Sequence, residues 1–159
     1  MQEYWIEALG SRRSEIRRRW EALLFLEFAD SPLAHPENLV HLIDWTFDEV
    51  LAELRRRKTS RRSEAHPPEI SKVRAGCHCG HNPLFNLFVA GEQALLEALI
   101  ELQASNPSTD PLHRSTAVAE LYVAIRAIAM REFDLLCSLC VGRPQPRRTA
   151  SPAAIALPV

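Results

Sequence analysis

Two short clusters contain all four cysteines of this 159-residue chain. The first cluster reads Cys77-His78-Cys79-Gly80-His81, and the second reads Cys137-Ser138-Leu139-Cys140. Thiolates, alone or with an imidazole nitrogen, are the ligands of a closed tetrahedral zinc site. The clusters therefore predict one shared metal site. Its candidate ligands are Cys77, His78, Cys79, His81, Cys137 and Cys140.

Other uses of the same thiols stay open. Four cysteines also hold iron–sulfur clusters, but the usual cluster-binding runs are spaced differently, so zinc is the preferred cofactor. A pair of neighbouring thiols would also respond to oxidants. Cysteine is often a small buried hydrophobic residue, and Cys137 and Cys140 fall on the apolar face of a predicted helix. Disulfides are the least favoured alternative.

The elements that must position these clusters are predicted to be helices. The chain has only five glycines, and it is dominated by good helix formers whose apolar members recur at helical spacing. We predict an all-α, up-down bundle of about four main helices. Their approximate ranges are 2–29, with a break near Gly10-Ser11, then 36–57, 82–104 and 111–141.

Local signals set the ends of the last two helices. Asn82-Pro83 and Asp110-Pro111 each combine an N-cap residue with a proline at the first helical position. Gly142 is placed as a C-terminal stop. We expect the third and fourth helices to form an antiparallel hairpin, because the turn that joins them is short.

The hairpin would bring the two cysteine clusters to one level. Cys79 precedes Ser108, at the centre of the turn, by 29 residues, and Cys137 follows Ser108 by 29. Since every helical residue rises by about 1.5 Å, equal offsets fall at the same height along the bundle. Cys137 and Cys140 are three apart and share one side of their helix.

Apolar periodicity predicts which side chains face the core. In the first two helices they are Trp5, Ile6, Leu9, Ile16, Trp20, Leu23, Leu24, Phe28, Leu39, Val40, Leu42, Ile43, Phe47, Val50, Leu51 and Leu54. In the last two they are Leu84, Phe85, Leu87, Phe88, Leu95, Leu96, Leu99, Ile100, Leu102, Val118, Leu121, Tyr122, Ile125, Ile128, Ala129, Phe133, Leu136 and Leu139. The three tryptophans, Trp45 included, are interpreted as core or interface anchors.

The chain is expected to form one domain over residues 1–142, with a flexible tail at 143–159. A basic, proline-containing linker at 58–76 would lie within that domain. The tail is rich in proline and alanine, and we expect it to be disordered or to dock as an extended strand.

Charge and hydropathy exclude some partners. The net charge is −1, which gives no overall field to attract nucleic acid. The basic runs at 55–62 and 17–19 are interpreted as solvated surface, since no aromatic residues alternate with the first of them. No apolar run approaches the roughly 20 residues that span a bilayer. The beginning of the chain does not resemble a signal peptide, so we expect a cytoplasmic protein with reduced thiols.

Familiar catalytic motifs are missing from the sequence. It contains no P-loop, no dinucleotide-binding glycine pattern and no Glu-x-x-His pair of di-iron bundles. The sequence favours a non-catalytic sensory or regulatory helical module with a metal-binding or redox-responsive cysteine site. Its partner would be another protein or a second copy of the chain. The alternatives are a scaffold or oligomerisation domain whose cysteines only pack, and a small thiol-dependent enzyme using Cys79 with His78 or His81.

Overall fold

The computed structural model describes residues 1–29, 31–59 and 82–141. Within these ranges every regular element is helical and no strand is present, which confirms the all-α prediction. The elements are α1 (Glu3–Ser11), α2 (Arg13–Leu24), the single turn α3 (Pro36–Leu39), α4 (Ile43–Thr59), α5 (Phe85–Ala104) and α6 (Pro111–Val141), with 3₁₀ turns at Pro32–Ala34 and Val40–Leu42. No helix in the described ranges has the length and hydropathy to cross a membrane.

The first predicted helix is two helices. The backbone leaves helical geometry at Arg12, next to the predicted break, where residues 10 and 11 are weak helix formers. The Ser11 hydroxyl donates to the Ala8 carbonyl oxygen at 2.8 Å, which closes the last turn of α1. Helix α2 then ends at Leu24, earlier than predicted. Phe28 lies beyond this end and is exposed, so its placement on the inward face was wrong.

The second predicted helix is also interrupted. The turn α3 passes through a 3₁₀ turn at Val40–Leu42 before α4 begins at Ile43. Tighter winding at these residues changes the phase of the helix, and a short 3₁₀ stretch of this kind is common at helix termini. The apolar residues of α4 that the sequence predicted to face inward, from Ile43 to Leu54, are nevertheless all buried, and Thr46 is buried with them.

The first residues of α5 and α6 can be compared with the predicted starts at Asn82-Pro83 and Asp110-Pro111. Helix α6 begins at Pro111 as predicted, and the Asp110 carboxylate accepts the Leu112 N–H at 3.3 Å. Helix α5 begins at Phe85, so the prediction of Asn82 as its N-cap was wrong. Asn82 Oδ1 accepts the N–H of Leu84 at 3.0 Å, as Asp110 does for Leu112, but the backbone first forms a turn in which the Phe85 N–H donates to the Asn82 carbonyl oxygen at 3.1 Å.

One continuous hydrophobic cluster includes residues from α1, α2, α4, α5 and α6. All inward positions whose side chains are described are buried or partly buried, apart from Phe28 and Ile100, which are exposed. Trp5 and Trp20 are core residues as predicted, whereas Trp45 is 44% exposed. The helical spacing of the apolar residues therefore predicts which of them are buried, except where a helix ends early or a residue lies at the edge of the apolar face.

Three contacts define how α5 and α6 lie against each other. Near the connecting turn, Gln103 Nε2 donates to the Arg114 carbonyl oxygen at 3.0 Å. Farther from the turn, Arg126 and Glu92 form an ion pair at 3.0 Å. Farther still, the rings of Phe88 and Phe133 meet edge to face, with their centroids 5.5 Å apart. As the position on α5 decreases, the contacted position on α6 increases.

Candidate functional site

The second cysteine cluster occupies the end of α6. Cys137 is partly buried there, and position 140 belongs to the same helix, which continues to Val141. Positions three apart are neighbours on a helix surface. The Ser138 hydroxyl between them donates back to the Leu135 carbonyl oxygen at 2.6 Å and is exposed. The helical placement of this pair agrees with the sequence prediction.

The first cysteine cluster lies outside the described residues. Cys77, His78, Cys79 and His81 fall between the described ranges, so the structure neither joins them to Cys137 nor separates them from it. The nearest described residue after them is Asn82. Within residues 1–29, 31–59 and 82–141, no group of three or more His, Cys, Asp or Glu side chains is arranged to hold a metal ion. The six predicted ligands therefore remain a prediction.

Other histidines in the described ranges are surface residues. His35 Nδ1 lies 3.9 Å from a Glu37 carboxylate oxygen, and His113 Nδ1 lies 3.7 Å from Asp110. Both pairs are local along the chain and exposed. His41 is exposed as well. Such pairs are typical of solvated helix ends and do not form a ligand set.

Arg12, just before α2, and three arginines of α2 itself form ion pairs with other helices. Arg12 reaches Glu101 on α5 at 2.6 Å, and Arg19 reaches Glu97 on α5 at 2.6 Å. Toward α4, Arg13 lies 2.6 Å from Asp48, and Arg17 lies 3.2 Å from Asp44. We call these pairs the α2 ion-pair belt.

The belt shifts the proton affinity of its carboxylates. Hydrogen bonds from Arg19 and then from Gln93 lower the pKa of Glu97 to about 2. A hydrogen bond from Arg13 lowers the pKa of Asp48. The cations of this run are thus neutralised by acids within the fold, which leaves little unpaired positive charge for a phosphate backbone to contact.

A shallow cleft of about 230 Å³ lies between α2 and α5. Its apolar floor includes Ile16 and Ala94, and its rim includes Glu15, Arg19 and Glu97. The rim charges already pair with one another and with Arg12, so they do not converge on an empty position. The cleft is a groove between packed helices and lacks the convergent polar groups of a ligand site.

Sequence reasoning missed the α2 ion-pair belt, although a signal was present. Asp44 and Asp48 are four residues apart on α4, and Glu97 and Glu101 are four apart on α5. Each pair forms an acidic stripe on one side of its helix, which complements a basic helix between them.

Comparisons with protein-family models, curated proteins and solved structures found no match to this chain.

Proposed function

We propose that this protein is a non-catalytic sensory or regulatory module whose two cysteine clusters form one metal-binding or redox-responsive site. The observation that carries the proposal is the contact between Phe88 and Phe133. It supports the proposal because it brings the first turn of α5 against a residue eight positions before the last residue of α6. The rise per residue of a helix and the short chain before α5 then indicate how close the two cysteine clusters would come.

Helices α5 and α6 are proposed to form an antiparallel hairpin. Leu84 precedes Phe88 by four residues, and Cys137 follows Phe133 by four. At about 1.5 Å per residue, both lie about 6 Å beyond the ring contact, so they come to the same level. Cys79 is three peptide units before Asn82, which limits the separation of their Cα atoms to about 11 Å. The first cluster is therefore tethered close to the second.

The chemistry of the donors favours zinc. Four thiolates, or three and an imidazole from His78 or His81, complete a tetrahedral shell. Cys137 lies in the final turns of α6, where the negative end of the helix dipole opposes formation of a thiolate. A divalent cation between the clusters would offset that cost. Metal binding would then tie the segment before α5 to the end of α6.

Oxidation is the second way in which this site would act. Two thiols would lose two protons and two electrons to a peroxide, forming a disulfide and reducing the peroxide to water or an alcohol. A disulfide removes two thiolates from a shell of three or four, so oxidation would weaken metal binding and bound metal would protect the thiols. This competition would give the module two states that depend on the supply of metal and oxidant.

The test is a metal and thiol count on the full chain. Protein purified without chelators is expected to contain one zinc ion and to show few reactive thiols until it is denatured or chelated. Cys79→Ser and Cys137→Ser should each lower the metal content. Ser138→Ala is the matched control, because it alters an exposed side chain between the two cysteines of α6 and should retain the metal.

Two results would overturn the proposal. One is a metal-free protein that takes up no added zinc and has four thiols that titrate freely in the native state. The other is an unchanged thermal stability in Cys79→Ser and Cys137→Ser after zinc is added to all proteins. Either result favours the alternative of a scaffold in which the cysteines only pack.

A further inference from the structure

Four large apolar side chains are exposed within nine residues where the chain passes from α2 toward α3. The exposed fractions are 52% for Phe25, 80% for Leu26, 85% for Phe28 and 71% for Leu33. We call these four residues the apolar corner. Single exposed hydrophobic residues are ordinary, but several exposed this close together along the chain are typical of an interaction surface.

The apolar corner lies near the beginning of α5. The Phe28 carbonyl oxygen accepts a hydrogen bond from Asn86 Nδ2 at 2.9 Å. Asn86 is two residues before Phe88, whose ring contacts Phe133 on α6. Beyond Phe133, α6 continues for eight residues to Val141, about 12 Å along its axis. The corner and the end of α6 are therefore within about 25 Å of each other.

The chain that continues from α6 has the chemistry to cover this surface. Its first seven residues, 142–148, include three arginines, Arg143, Arg147 and Arg148, and residues 153–159 form the apolar run Ala153-Ala154-Ile155-Ala156-Leu157-Pro158-Val159. Exposed Glu27 and Glu37 lie on either side of Phe28 and Leu33 along the chain. A basic segment followed by an apolar one thus complements an acidic and apolar corner.

The connecting chain is long enough. Twelve peptide units separate Val141 from Ala153. They span up to about 40 Å when extended, and a flexible chain of that length has a typical end-to-end distance of about 20 Å. The separation from the corner lies inside this range. Because the two partners belong to one chain, their effective concentration reaches about the millimolar range, so even a weak contact forms.

We propose that the apolar corner is the docking surface for residues 153–159 of the same chain. The proposal goes beyond the cysteine site and does not depend on whether that site binds metal. Docking would shield the corner from other proteins and would couple the end of α6 to the α2–α3 connection. A signal that moved the tail would expose an apolar surface.

The experiment uses the full chain and a double substitution, Ile155→Ser with Leu157→Ser. Amide hydrogen exchange is followed by mass spectrometry in peptides that cover residues 23–34, where Leu26 and Glu27 donate backbone hydrogen bonds to Leu23 and Leu24. Exchange there should accelerate several-fold, and about tenfold if docking stabilises the corner by about 1.4 kcal/mol. Binding of a fluorescent apolar dye should rise in parallel.

Leu112→Ser is the matched control, since Leu112 is an exposed apolar residue at the start of α6, far along the helix from Val141. It should leave exchange at residues 23–34 unchanged. A synthetic peptide of residues 143–159, added to the double variant, should restore slow exchange, and a scrambled peptide should not. Far-ultraviolet circular dichroism checks that the double variant is folded.

Two outcomes would overturn the proposal. Equal exchange and dye binding in the parent and the double variant would mean that residues 153–159 do not cover the corner. Concentration-dependent dimerisation that Phe28→Ser abolishes and the tail substitutions leave unchanged would assign the corner to a second copy of the chain. Neither outcome bears on metal content, so failure here is distinguishable from failure of the proposed cysteine site.

Discussion

Gly91 is predicted to be essential for the packing of α2 on α5. The indole of Trp20 lies over this glycine and donates from Nε1 to the Leu87 carbonyl oxygen at 2.8 Å. A Cβ added at Gly91 would lie 2.1 Å from Cζ2 of Trp20, 2.5 Å from Cε2 and 2.7 Å from Cη2. These atoms belong to a rigid, fully buried ring, so no flexible end of a side chain can move aside.

The cost of Gly91→Ala follows from three contributions to the free energy of unfolding. Overpacking of a core costs about 1–3 kcal/mol. Displacement of the indole breaks its buried hydrogen bond and costs about 1 kcal/mol more. Alanine returns about 1 kcal/mol through its higher helix propensity. The net destabilisation is about 1–3 kcal/mol, which lowers the melting temperature of a chain of this size by about 2–12 °C.

A double-mutant cycle isolates the proposed cause. Chemical unfolding is measured for Gly91→Ala, Trp20→Leu and the combination. The smaller leucine leaves room for the new Cβ, so Gly91→Ala should be nearly neutral or stabilising in that background, a coupling of about 2 kcal/mol. Gly10→Ala is the matched control, because its added Cβ would meet only Leu51 Cδ1 at an ordinary 3.7 Å. If Gly91→Ala is as harmless as Gly10→Ala, the reasoning is refuted.

Three further predictions concern charge, capping and packing. Because Arg19 holds the pKa of Glu97 near 2, below its usual value of about 4.5, the stabilisation is present above pH 4.5 and is lost as the pH falls toward 2. Glu97→Gln should therefore flatten the acid side of a stability–pH curve measured by urea unfolding, by less than about 1 kcal/mol at this half-exposed pair. Asp110→Ala should cost about 1 kcal/mol in the same assay, because the Leu112 N–H loses its acceptor, and no change would contradict a capping role. Phe133→Ala should cost about 3–5 kcal/mol, whereas Leu112→Ala should change stability by less than about 0.5 kcal/mol, and similar values for both would contradict the assigned core.

Helical phase carried most of the fold prediction. Buried residues such as Trp20 and Phe133 belong to sets of apolar residues that recur at the helical period, so the sequence alone indicates which side of each helix is buried. The helix ends were harder, because they depend on local competition for backbone hydrogen bonds. Asp110 and Asn82 accept the same kind of hydrogen bond, from the N–H two residues on, yet α6 begins at once at Pro111, whereas a backbone turn precedes the start of α5 at Phe85. Gly91 gave no local signal, since its role comes only from contact with Trp20 on another helix.

From the sequence, the position of the cysteine site could be predicted only by counting residues along the two helices that flank the turn at Ser108. Counting from Ser108 requires ideal helices on both sides of the turn, and it places Cys79 opposite Cys137. The contact between Phe88 and Phe133 indicates that the matched positions have drifted by several residues toward the later part of α6. Because α5 begins only at Phe85 and Cys79 lies outside the described residues, the count cannot be carried back to the first cluster. The identity of the metal depends on ligand geometry that spacing does not contain.

The arginine-rich start of α2 shows why a charge run is a poor guide to partners. In the sequence, residues 12, 13 and 17–19 form a cationic segment. In the fold, acidic stripes on α4 and α5 flank that segment, and all but Arg18 form an ion pair with an acid of a neighbouring helix. Each exposed pair contributes little stability by itself. Together the pairs specify the position at which α2 packs, because a shift of α2 along its axis would place its arginines against the wrong residues of two helices at once. The run therefore encodes how the helices pack, and a nucleic-acid partner is not needed to explain it.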